Sequence, residues 1–156
     1  GSRRHHSVRH GHIHRGRGRQ ANRRPRRRRY FISYDPQQNI DPKHWFPFAT
    51  IVTKDYGDFD TASHLNRPDV FRLNIGVSRD TFHALFGYLP NEFSARSAEY
   101  DFAALDRLMP HPAYALQSWI CVLNPSPETF EAVKPLLNEA YTRAATRHER
   151  DQTNRD

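Results

Sequence analysis

Two kinds of apolar spacing organise this chain. Over residues 69–77, Phe71, Leu73, Ile75 and Val77 alternate with polar Arg72 and Asn74, a period of two that predicts a half-exposed strand. After residue 126 the period changes. Phe130, Val133, Leu137, Ala140, Tyr141 and Ala144 recur in steps of three and four, the single apolar face of an amphipathic helix. Ser126 is placed to cap that helix, Pro127 suits its first position, and Glu128 and Glu131 lie near the positive end of its dipole. Pro135 falls inside the periodic run and predicts a kink or break near Val133 and Lys134. From Thr146 the apolar period fades, which predicts a frayed end over residues 149–156.

Between these stretches lie shorter signals. Ser118-Trp119-Ile120-Cys121-Val122-Leu123 is rich in β-favouring residues and bounded by turn formers, so it reads as a strand buried on most of its surface. Tyr30-Phe31-Ile32-Ser33-Tyr34 and Phe48-Ala49-Thr50-Ile51-Val52-Thr53 read as two more strands, the first ended by Asp35-Pro36. Ser78 caps a predicted helix with Phe82, Leu85, Phe86 and Leu89 on one face and Gly87 near its end. Residues 91–100 read as a loop. Asp101 is set to cap a short helical turn with Phe102, Leu105 and Leu108 facing inward, stopped by Pro110. Strands joined by loops rather than helices favour an antiparallel sheet, giving a two-layer α+β domain with helices packed on one face.

Charge divides the chain in two. The net charge of +7 hides a tail: residues 1–29 hold 12 of the 24 Lys and Arg, five of the ten His and no acid, leaving 12 basic against 17 acidic groups downstream. The expected organisation is a disordered Arg/His-rich tail over 1–29, one domain over 30–148, and the frayed end. Gly1-Ser2 reads as a tag remnant. In the tail, Arg23, Arg24, Arg26, Arg27, Arg28 and Arg29 would attract phosphates. The competing reading is text without selected chemistry, such as a misplaced start or a shifted frame. The His10-Gly11-His12-Ile13-His14 cluster reads as adventitious rather than as a metal site, so no metal and no cofactor is expected. Cys121 stands alone inside an apolar strand and reads as core, in a reducing compartment. No run has the ~18 apolar residues of a membrane span, and the expected location is the cytoplasm.

Longer strings carry a resemblance. Tyr34-Asp35-Pro36, the run from Phe46 to Tyr56, the run from Arg67 to Val77, Tyr100-Asp101-Phe102, the run from Leu105 to Pro112, and Trp119-Ile120-Cys121-Val122-Leu123-Asn124-Pro125 resemble a family of small bacterial proteins of unknown function. The His-Pro corner at 111–112, the Trp-bearing strand and the terminal helix with Ala140-Tyr141 are similar, more distantly, to YjbR-like (MmcQ/YjbR) proteins. That resemblance implies the order α-β-β-β-α-β-β-α. Members of the similar family open with a helix and a strand where this chain has Arg/His text, which predicts an uncovered apolar patch, self-association or reduced stability.

Candidate chemistry is sparse. His111, His64, His44, Tyr114 and Cys121 could serve an enzyme, yet nothing in the sequence pairs a nucleophile with a base. The loop holding Asp58, Asp60, His64 and Asp69 lacks the glutamate that closes a calcium loop, and reads as solvated turn residues. Ligand-binding candidates are His111, fixed between two prolines, with Tyr114, Trp119, Trp45 and the exposed face of Arg72. The reading is a non-catalytic module that binds a protein or a small molecule. Nucleic-acid binding through the tail, and an enzyme with a pocket near His111, are the alternatives.

Overall fold

The computed structural model describes residues 6–8, 11–15, 29–37 and 47–153. Among the described residues seven strands form one antiparallel sheet in the order β1-β2-β3-β4-β5-β7-β6. They are β1 (His6–Val8), β2 (Gly11–Arg15), β3 (Arg29–Tyr34), β4 (Pro47–Val52), β5 (Arg72–Gly76), β6 (Met109–Pro110) and β7 (Trp119–Leu123). The described residues also hold three α-helices: α1 (Arg79–Phe86) and a four-residue α2 (Phe93–Arg96) between β5 and β6, and α3 (Pro127–Thr153) after β7. The α+β class read from the sequence is the observed one.

Register assigns each side chain to a face, because directly opposed residues of an antiparallel pair point the same way. One face carries Leu73, Ile75, Ile120 and Val122, which pack with Phe82 of α1 and Val133 and Ala140 of α3 into the main core. The other carries two cross-strand rows, Arg29–Val52–Arg72–Leu123 and Phe31–Thr50–Asn74–Cys121–Met109. Loops rather than helices cover it: Val52, Met109, Cys121 and Leu123 pack there with Leu65, Tyr56 and Val70.

The helices begin and end as their sequences dictate. Ser78 Oγ accepts the Thr81 N–H at 3.0 Å, and Gly87, at φ 81°, closes α1 in the left-handed conformation that glycine adopts without a Cβ clash. Ser126 Oγ likewise accepts the Thr129 N–H at the start of α3. Glu139 of α3 reaches back to α1, accepting from Ser78 N and from Thr81 Oγ1. The turn after β7 is held by Asn124, which accepts the Phe71 N–H and donates to the Asp69 carbonyl.

Several expectations are corrected. Residues 6–8 and 11–15, expected to be disordered, are strands continuing the sheet beyond β3. Residues 91–100, expected as a loop, form α2 flanked by the 3-10 turns Pro90–Glu92 and Ser97–Glu99. No helical turn follows Asp101: its carboxylate accepts the Ala103 N–H, an Asx turn that competes with helix, and Met109–Pro110 pairs with β7 instead. The helix does not break at Pro135 and continues through Glu149 to Thr153, past the expected fraying.

Candidate functional site

The loop between β4 and β5 folds back over the sheet and builds the site. Tyr56 and Asp60 exchange backbone hydrogen bonds at 3.1 Å around Gly57, which turns at φ 50°. Asp55 accepts the Leu65 N–H at 2.8 Å, closing the loop on itself. Arg67 then fastens it to the neighbouring segment by donating to the carbonyls of Ser63, His64 and Ala103.

Under this loop Arg72 is 1% exposed and Asp60 5%. The guanidinium meets the carboxylate in a two-point pair, Nη1 to Oδ1 at 2.9 Å and Nη2 to Oδ2 at 2.6 Å. Nη1 also donates to Ser63 Oγ at 2.9 Å and Nε to Asn74 Oδ1 at 2.8 Å, while Asn74 Nδ2 donates to Thr50 Oγ1. Burial works to raise the Asp60 pKa, but the paired Arg72 outweighs it and holds the carboxyl below its ordinary value.

His111 closes the far side. Its Nδ1 accepts the backbone N–H groups of Ala113 and Tyr114, both at 3.0 Å. With Nδ1 accepting, the neutral ring carries its proton on Nε2, which faces Arg72 Nη2 at 3.2 Å donor to donor, a close contact rather than a hydrogen bond. Protonation would place a second buried cation against Arg72. Burial first, and Arg72 second, push the His111 pKa down to about 3, so the ring is neutral at ordinary pH. Burial likewise pushes the Cys121 thiol up to about 12. The cluster is thus charge-balanced and holds no group poised to exchange a proton near neutrality.

Two aromatic rings form its rim. Tyr114 lies 5.0 Å from the His111 ring and Phe59 lies 6.4 Å from Tyr114, in an edge-to-face arrangement. Phe59 is 63% exposed and Tyr114 44%.

Of the residues singled out in the sequence, the structure brings together His111, Tyr114 and Arg72. Arg72 and Asn74 are not on an exposed face as expected: the folded-back loop covers them. Asp60 is correspondingly not a solvated turn residue. Trp119 lies across Gly76, where an added Cβ would sit 3.1 Å from the indole, so this ring packs against the sheet. Trp45, His44 and Arg23, Arg24, Arg26, Arg27 and Arg28 lie outside the described residues. Arg29 opens β3, its guanidinium 4.0 Å from the Tyr56 ring centre and 5.1 Å from that of Phe31. Sequence reasoning missed Asp60, Ser63, Thr50 and Phe59. A usable signal existed for Asp60 alone, since a strand with Arg at an inward position needs a carboxylate nearby. Among the described residues no group of His, Cys, Asp and Glu is arranged to hold a metal, and no helix is long and apolar enough to cross a membrane.

Over residues 18–153 the chain matches DUF6194, a family of unknown function, and it belongs to that family. No curated protein and no solved structure matches it significantly. The matched span includes the arginine run at 23–29.

Proposed function

We propose that this domain is a non-catalytic binding module, and that Phe59 and Tyr114 are where it meets a flat apolar group of a protein or small ligand. The carrying observation is the pair of exposed rings over a rigid buried base. Exposed aromatics are costly to leave in water and, when held in place, lose little entropy on binding. Asp60, Arg72 and His111 act as that base, with Asp60 and Arg72 paired to one another and His111 Nδ1 held by the backbone. Selection from a displayed random-peptide library tests the reading. Peptides enriched on the wild-type protein should lose binding to Phe59→Ser and Tyr114→Ser and keep it for Phe130→Ser, an exposed ring on α3. Enrichment of no peptide, or retention by both rim variants, would sink it.

We further infer distant kinship with YjbR-like proteins and a reducing, cytoplasmic setting. From Arg29 the chain runs β-β-β-α-β-β-α, with short helical turns before β6, which is the implied order from its second element onward. The buried free thiol of Cys121 suits a reducing compartment. An experimental structure with a different strand order would remove the first inference, and recovery of the protein from an oxidising compartment the second.

A further inference from the structure

A separate feature lies on the loop-covered face, at the end where β3 begins. Arg29 is exposed and stands in the same cross-strand row as Arg72. Its guanidinium lies over the Tyr56 ring at 4.0 Å, and Lys54 Nζ lies 5.1 Å from the centre of that ring. Two cations therefore share one aromatic ring, which holds them by their attraction to its π-face. Among the described residues neither forms an ion pair, a state they share with exposed cations such as Arg79 and Arg107. No hydrogen bond among the described residues takes up their side-chain N–H donors.

The chain connects this point directly to more charge. Arg23, Arg24, Arg26, Arg27 and Arg28 all fall within six residues before Arg29, inside the span that matches the family. Downstream of residue 29 acids outnumber bases, so the net charge that attracts a polyanion comes from the arginine-rich segment rather than from the rest of the domain. A regular series of cations suits a regular series of phosphates better than the irregular charges of an acidic peptide. The exposed Arg29 guanidinium, seated on Tyr56, offers its own plane to a base of a single strand.

We propose that Arg29 and Lys54, seated against Tyr56, are a phosphate-contact point for single-stranded nucleic acid. This site is distinct from the Phe59–Tyr114 rim and does not depend on it. The test keeps the chain whole, because β1 and β2 precede β3 in the sheet and truncation would strip a sheet edge.

Fluorescence anisotropy with a labelled oligothymidine of about twenty nucleotides, and with a duplex of the same length, is followed from about 50 to about 200 mM salt. Wild type should bind the single strand more tightly than the duplex. Lys54→Glu should weaken single-strand binding several-fold and lower the salt slope by about one. Lys54→Gln should give a smaller effect in the same direction, and Lys134→Glu, a change in α3, none. Lys54→Glu binding like wild type would overturn the proposal and leave any affinity to the arginine run alone. Absence of binding would overturn it outright, and a preference for duplex would overturn the single-strand assignment.

Discussion

A guanidinium can be buried at position 72 because a carboxylate, two side-chain oxygens and good geometry meet it there. Removing one partner is a different matter from never having had either. Asp60→Ala leaves Arg72 charged and unpaired in the interior, and should cost about 3–5 kcal/mol of stability in a denaturant titration. Replacing both, Asp60→Leu with Arg72→Met, removes the charge along with its partner and should be less damaging than Asp60→Ala alone. A double variant at least as unstable as the single one would show that the pair contributes more than mutual compensation. The alternation of Arg72 and Asn74 with apolar neighbours was legible in the sequence, and the register confirms it. The exposure inferred from it was wrong, because period-two patterning says which residues share a face and not what covers that face. The cover comes from Asp55, Arg67 and the Tyr56–Asp60 bridge, hydrogen bonds of loop residues that no periodicity announces.

Elements with strong local grammar were read closely. β3, β4 and β7 fall within one residue of their predicted places, and α1 starts at its predicted Ser78 cap but ends at Phe86, leaving Leu89 outside it, since each is bounded by proline, glycine or serine. Short helices were not: Phe93–Arg96 lacks a side-chain cap hydrogen bond and is held by Phe93 and Pro90 buried in tertiary packing, which local sequence does not encode. Pro135 shows the same limit from the other side. It is exposed on α3 while Val133 and Ala140 face the core, and Glu139 ties the following turn to α1, so packing outweighs the lost backbone hydrogen bond. Pro135→Ala restores an N–H to that ladder and should raise the unfolding free energy by about 1–3 kcal/mol. An unchanged melting temperature would mean that the helix is already bent to suit the ring. Glu139→Ala should act in the opposite direction, releasing the Ser78 N–H and the Thr81 hydroxyl at a cost of about 1–2 kcal/mol in the same assay.

At the scale of the whole molecule, the buried cluster makes stability depend on pH. His111 has a folded pKa near 3, below the ordinary 6.5, so the folded state favours the neutral ring. Its contribution is complete above pH 6.5 and is lost as pH falls from 6.5 towards 3, because the unfolded chain takes up the proton first. Asp60 is also held below its ordinary 3.8, so its contribution is complete above that value and is lost at still lower pH. The two losses follow one another on the acid side. At roughly 1.4 kcal/mol per pH unit for one unmatched proton, His111 alone should remove about 2 kcal/mol between pH 7 and pH 5. His111→Asn keeps an oxygen where Nδ1 accepts the Ala113 and Tyr114 N–H groups and removes the titrating ring. Denaturant titrations of both proteins across this range should show the wild type losing stability steadily and the variant nearly flat until the carboxylates titrate. Parallel curves would mean that water reaches His111 in the folded protein, and the base beneath Phe59 and Tyr114 would then not be rigid.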